Sequence, residues 1–171
     1  MQVIQDSVKP TEKIASFQNA AGSQKLGVYG DGSLLDASDN TRLFFNSTAK
    51  TIVDGAATGL FSVAVAQGSV AGGIIHFSVL ASDGTDFQTI NGMASYSSVN
   101  KAGTCTNAIT YVTGNEAKAV SSGTLTLAFT MAEDTADVVT IKLQPTGSLT
   151  ETTYTVIYTL TPLRGGAITI L

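Results

Sequence analysis

A threonine-rich alternation near the end of the chain sets the strongest limit on its fold. In "TYTVIYTLTP", residues 153–162, Tyr154, Val156, Tyr158 and Leu160 take every second position, and Thr153, Thr155, Ile157, Thr159 and Thr161 fill the gaps. Period two is the geometry of an extended strand, whose successive side chains leave opposite faces; a helix would scatter these residues around its circumference. The stretch is therefore expected to be a strand with one aromatic and aliphatic face for a core. Its other face, mostly threonine, suits water or a wet protein contact, because threonine is β-branched yet keeps a hydroxyl. Pro162 lacks a ladder donor and is expected to end the strand or mark an edge.

Similar runs recur upstream. Candidate strands fall at about 59–66, 72–81, 87–98, 104–112, 124–131, 137–144, 152–161 and 166–171, separated by "GSVAGG", "SDGTD", "NKAG", "TGNEAKAVSSG", "AEDTAD", "PTGSLTE" and "LRGG". Short strands with turn chemistry between them and no long amphipathic helix predict an all-β, antiparallel β-sandwich. Eight strands favour a jelly roll over residues 56–171, and the core tryptophan and cysteine pair of an immunoglobulin domain are missing. Phe61, Phe77 and Phe129 sit at strand positions suited to core packing, and a chain of 171 residues with 43% hydrophobic residues can fill one core. The terminal "GGAITIL" is expected to be tied into a sheet or an interface, since leaving Ile168, Ile170 and Leu171 in water forfeits roughly 1.5 to 3 kcal/mol for each large side chain.

The first part of the chain reads differently. Residues 1–24 are polar with isolated Ile4, Ile14 and Phe17 and no sustained period, which predicts an arm or linker, extended or weakly helical, with those three residues as attachment anchors. Residues 25–55 are expected to hold a small hairpin and a short helical turn. Leu26 and Val28 lead into a turn at Gly30, Asp31 and Gly32, and Leu34 and Leu35 return. "TRLFFN", 41–46, is a further candidate strand. Ser47 or Thr48 would cap the helical turn and Gly55 would finish it.

Charged residues make up only 13% of the chain, against roughly 25% in an average globular domain. Thr, Ser, Gly, Asn and Gln must then cover the surface, and such a surface repels no neighbour. The formal net charge of -4 with nine scattered Lys and Arg argues against nucleic acid, which needs a basic patch. No run of about 20 apolar residues predicts a membrane helix, and "MQVIQDSVKP" has neither the basic nor the apolar region of a secretory signal.

The inventory for catalysis is thin, and the chain is expected not to be an enzyme. The single cysteine, Cys105, cannot build a disulfide framework and reads as a small buried residue of a strand. The single histidine, His76, lies mid-strand in "GGIIHFSVLA", with no G-x-S-x-G elbow, and reads as structural, with a pH-sensitive interface as the alternative. One His and one Cys do not make a zinc site, and neither a cofactor nor a metal is implied. Acidic residues gather in turns, at Asp31, Asp36 and Asp39, at Asp83 and Asp86, and at Glu133, Asp134 and Asp137. Their spacing is not that of an EF-hand, and bonding of Asp to its own backbone explains them; calcium and a paired-carboxylate glycosidase stay open alternatives. Sugar platforms favour tryptophan, of which there is none, yet a carbohydrate-binding or host-adhesion module remains the alternative function, with "TGNEAKAVSSG" and "SDGTD" as its loops. "NST" at Asn46 matches a glycosylation acceptor without secretory context.

"SQKLGVYGDGSLLD", "HFSVLASDGTDFQTINGMASYSSVNKAGT" and "VTIKLQPTGSLTETTYTVIYTLTPLRGGAITIL" together resemble the small β-rich structural proteins of tailed-phage virions that form head fibres, capsid decorations or fibre tips. The resemblance lies in threonine- and glycine-rich strands, a polar arm and a closing C-terminal strand, and it spans most of the chain. It implies a location in the virion, assembly as a homo-oligomer with a trimer favoured, attachment of residues 1–24 to a capsid or tail protein, and no enzymatic site; a host surface glycan is the partner expected under the carbohydrate-binding or host-adhesion alternative.

Overall fold

The computed structural model describes residues 13–18, 24–29, 34–36, 41–45, 49–111, 114, 116–149, 153–164 and 166–171. Among them the ordered elements are all strands. In chain order these are β1 Lys13–Gln18, β2 Gln24–Tyr29, β3 Leu34–Asp36, β4 Thr41–Phe45, β5 Lys50–Val53, β6 Thr58–Ala64 and β7 Val70–Ser82. There follow β8 Phe87–Lys101, β9 Thr104–Tyr111, β10 Ala117–Val120, β11 Leu125–Thr135, β12 Val138–Gly147, β13 Thr153–Arg164 and β14 Ile168–Ile170.

They form two antiparallel sheets in a sandwich-like arrangement. The larger runs β1-β2-β3-β4-β13-β7-β8-β10, with β5 also on β13 and β9 also on β8. The smaller runs β11-β12-β6-β14. Within the larger sheet β13-β7-β8-β9 has the Greek-key order, three hairpin-linked strands with a fourth returning beside the first. The jelly-roll wrapping expected from the strand count is not traced by this order, which keeps the hairpins β7–β8, β8–β9 and β11–β12 each inside one sheet.

Alternation builds the core. Tyr154, Val156, Tyr158 and Leu160 of β13 all point inward and are buried, beside Ile75, Phe77 and Val79 of β7 and Ile90, Ala94 and Tyr96 of β8. The smaller sheet answers with Phe61 and Val63 of β6, Val139, Ile141 and Leu143 of β12, and Leu125 and Leu127 of β11. Phe61 joins the layers, its ring 5.6 Å from that of Tyr96 and 6.1 Å from that of Tyr158. At the side where β9 meets β11, Phe77, Tyr111 and Phe129 pack as an aromatic trio with centroids 5.0 to 5.6 Å apart. Phe61, Phe77 and Phe129 thus serve the core as their strand positions predict.

Several expectations need correcting. Lys50–Val53 is strand β5, paired with Thr153–Val156, and not a helical turn. The β-branched run Thr51, Ile52 and Val53 prefers the pleated sheet, and one turn of helix could not bury Ile52 as this ladder does. Pro162 does not end β13, which runs on to Arg164; it is buried opposite Gly73 of β7, past Leu160, the last residue paired with β4, so it marks a local edge, beside a register irregularity that relaxes the demand for its missing N–H. "TGNEAKAVSSG" is not all loop, because Ala117–Val120 adds β10 to the edge of β8.

Part of the stretch expected as an arm is ordered too: Lys13–Gln18 pairs with β2. The small hairpin is present as β2 against β3, with Leu26 opposite Asp36 and Val28 opposite Leu34, and Thr41–Phe45 is a strand. The glycine–aspartate turn between β2 and β3 and Asn46 lie outside the described residues. The terminal segment is tied into a sheet, with Ile168 to Ile170 pairing with β6, but Ile170 and Leu171 stay exposed.

Candidate interaction face

Of the expected anchors, two fall on the outermost strand of the larger sheet. Ile14 and Phe17 are positions of β1, and Ile4 lies outside the described residues. What the fold does assemble is a broad face on the outer side of the larger sheet.

Strand register sets its chemistry. Reading across β13, β7, β8 and then β9 or β10, successive outward rows are Thr155–Leu80–Thr89–Ala119, Ile157–Ser78–Asn91–Ala117, Thr159–His76–Met93, and Thr161–Ile74–Ser95–Thr110. Gly72–Ser97–Ala108 and Val70–Val99–Thr106 follow. From Thr155 to Thr161 on β13, and throughout the rows on its neighbours, none of these residues carries a formal charge. In line with these outward rows, Arg164 opposite Gly72 and Lys101 beyond Val99 are charged positions at one end, whereas Lys50 and Lys118 stand opposite the inward residues Val156 and Ile90.

The face is also uneven. Leu80 is 47% exposed, Met93 56%, Val99 46%, Ile157 48% and Leu163 64%. These apolar side chains protrude among serine and threonine. Between them the paired glycines Gly72 and Gly73 leave a shallow open groove of about 480 Å³, walled by Val70, Ile74, Val99 and Leu163 with Ser95 and Ser97 at its rim. Gly72 faces the groove, while Gly73, buried on the inward side opposite Tyr96, is required by close approach. A Cβ on Gly73 would stand 2.7 Å from the Thr161 carbonyl oxygen and 2.9 Å from the Tyr96 ring.

Charge is spent elsewhere, on closing turns and joining hairpins. Asp83 accepts the N–H groups of Thr85 at 3.0 Å and Asp86 at 2.8 Å, so "SDGTD" is a self-bonded turn. Asp86 accepts the Ser121 hydroxyl at 2.6 Å, fixing that turn to the end of β10. Asp54 accepts the Gly147 N–H and the Tyr154 hydroxyl, each at 2.9 Å. Asp134 pairs with Lys142 at 2.9 Å, and that ammonium holds its carboxyl below the ordinary range.

At one end of the sandwich the fully buried amide of Asn100 donates to the Val65 carbonyl at 2.7 Å and to Asp137 at 2.5 Å, and accepts the Gly103 N–H at 3.0 Å. Glu133 accepts the backbone N–H of Cys105 at 2.9 Å and of Asp137 at 3.0 Å, bonds that lower its pKa. The Cys105 thiol is pushed upward by burial and then by the Glu133 charge, and its side chain packs half-buried against the core as a small apolar residue does. His76 is exposed in the middle of the outer face, beside Met93 and Thr159, rather than enclosed as a structural histidine. Among the described residues, no three His, Cys, Asp or Glu come together in a way that would hold a metal ion.

The uncharged rows were not visible to sequence reasoning because they depend on register between strands distant in the chain. Their signal was the low charge content, which said such a face must exist without saying where.

No protein-family model matches the chain, and no curated protein matches it. Among solved structures it is similar to the tailspike protein of Acinetobacter baumannii phage AM24, with a TM-score of 0.43 and 9% identity over 73% of this chain. The match spans 27% of the tailspike chain.

Proposed function

We propose that the chain is a non-enzymatic structural protein of a tailed-phage virion, a capsid decoration, head fibre or fibre-tip knob that self-associates and is attached to the particle through its N-terminal segment. The observation that carries this reading is the division of labour in the charge: the acidic groups of the sandwich are engaged in turns, hairpin ties and an ion pair, while a sheet face several strands wide carries only serine, threonine, asparagine, histidine and apolar side chains. A face of that composition imposes little desolvation penalty on a protein neighbour. The virion resemblance of the strand sequences supplies the setting, and three copies about one axis is the assembly it favours.

Attachment is assigned to residues 1–12, preceding β1, with Ile4 as the apolar anchor; Ile14 and Phe17 would contribute through β1. An antibody raised against the purified chain should label the surface of intact particles of the phage that encodes it, and a chain lacking residues 1–12 should fold and fail to label. Absence of the protein from purified particles would end this reading.

A further inference from the structure

We propose that the outer face of β13, β7 and β8 is the contact by which one copy of this chain binds a second copy; the identity of the face rests on the structural-protein reading, but its test does not require a virion.

Charge is the first argument. Each copy carries a formal net charge of -4, so two copies meeting through most surfaces bring acidic groups together. The rows from Thr155–Leu80–Thr89 to Val70–Val99 are a broad place where that repulsion is absent. A basic or acidic partner would find no complement there, whereas an identical uncharged face is a complement to itself.

Extent is the second. Val70 to Leu80 spans roughly 34 Å at about 3.4 Å per residue, and β13, β7 and β8 with β9 or β10 beside them, four strands at about 4.8 Å, cover roughly 19 Å, giving on the order of 650 Å² before side-chain relief. A stable interface takes about 800 Å² from each partner. The sheet face therefore approaches what a specific pair needs.

Relief is the third. Protruding Leu80 and Ile157 stand toward one end and Met93 in the middle of the same face whose other end holds the groove at Gly72, and knobs with a hole on one surface are what a self-complementary contact requires.

Light scattering on the full-length chain at two concentrations tests this, using the wild type, Ser95→Glu on the face, and Ala128→Glu on the outer side of the smaller sheet. The wild type and Ala128→Glu should both give a multiple of 17.6 kDa, and Ser95→Glu should fall two- to threefold in mass to a monomer with an unchanged circular dichroism spectrum. Thr155→Glu, on a different strand of the face, repeats the test should Ser95→Glu not fold. A wild-type monomer at both concentrations overturns the inference while leaving particle labelling to judge the virion reading. Assembly that survives both face variants but is lost in Ala128→Glu places the contact on the other sheet and overturns it equally.

Discussion

The hydroxyl of Tyr158 crosses the core to donate to the carbonyl of Leu60 at 2.6 Å, joining β13 of one sheet to β6 of the other by a buried polar bond. Leu60 lies next to a register irregularity in the β6–β12 ladder, where Ile141 pairs with Phe61 and Lys142 with Gly59. The same carbonyl accepts the backbone N–H of Leu171 at 3.1 Å, so the tyrosine adds a second donor to an oxygen already paired. Tyr158→Phe should keep the ring packing and destabilise the protein by about 1 kcal/mol, the net worth of one hydrogen bond, because the Leu60 carbonyl keeps the Leu171 N–H. Urea unfolding read by fluorescence and by circular dichroism would measure this, and an unchanged midpoint would show the bond to be energetically neutral.

Asn100 is a second buried polar tie, and its chemistry can be reversed by one atom. Asn100→Asp replaces a donor to Asp137 with a second carboxylate, so two like charges face each other in a buried setting and the Val65 carbonyl loses its donor. A loss of at least about 2 kcal/mol at neutral pH is expected. Stability should partly return in acid as the pair takes up a proton, whereas Asn100→Ala should show no such return. Parallel thermal melts of the two variants at several pH values would separate them.

Glu133 gives the wild type its own pH dependence. Backbone N–H groups of Cys105 and Asp137 favour the carboxylate, so the folded pKa lies below the ordinary value of 4.5. A depressed folded pKa makes its contribution fully present above the ordinary value and loses it as the pH falls through the lower, folded one. Glu133→Gln should lower the melting temperature at pH 7, and the difference from the wild type should shrink as the solution is acidified through that window. A difference constant from pH 7 down to strong acid would contradict this account.

Gly73 is the position least tolerant of a methyl group on β7. The Thr161 oxygen that a Cβ would meet at 2.7 Å is backbone in a paired strand, and the Tyr96 ring is held in the core. Gly73→Ala should cost about 1 to 3 kcal/mol, the range for overpacking, visible as a lower urea midpoint.

Much of the sandwich was legible because burial on one side of a sheet imprints itself at period two. Tyr154 through Leu160 announced both their strand and its inward face, and the strands from 59 onward were found by the same rule. Where a strand is short or exposed on both sides, the imprint is missing. Ala117–Val120 of β10 is exposed at every residue, so nothing in "AKAV" alternates. Lys50–Val53 carries its single inward residue, Ile52, between polar and apolar neighbours that a helical turn would accept equally well. Parity did hold the answer for Asn100, which stands four residues after Tyr96 and so faces the same way, into the core. The outer face illustrates the remaining limit. His76, Met93 and Thr159 belong to separate stretches of sequence, and only the ladder makes them one row.

The tandem use of β13 by β5 and β4 has a mechanical consequence. β4 meets β13 at Thr159 opposite Phe45 and Leu160 opposite Phe44, and β1, β2 and β3 follow outward from β4. Tension applied through the N-terminal side, perpendicular to these strands, loads that short junction one bond after another instead of all bonds together. β13 itself is held along its length by β7, from Thr155 to Arg164. The four-strand ribbon would then peel away at low force and extend like a tether, while the sandwich behind it stayed folded.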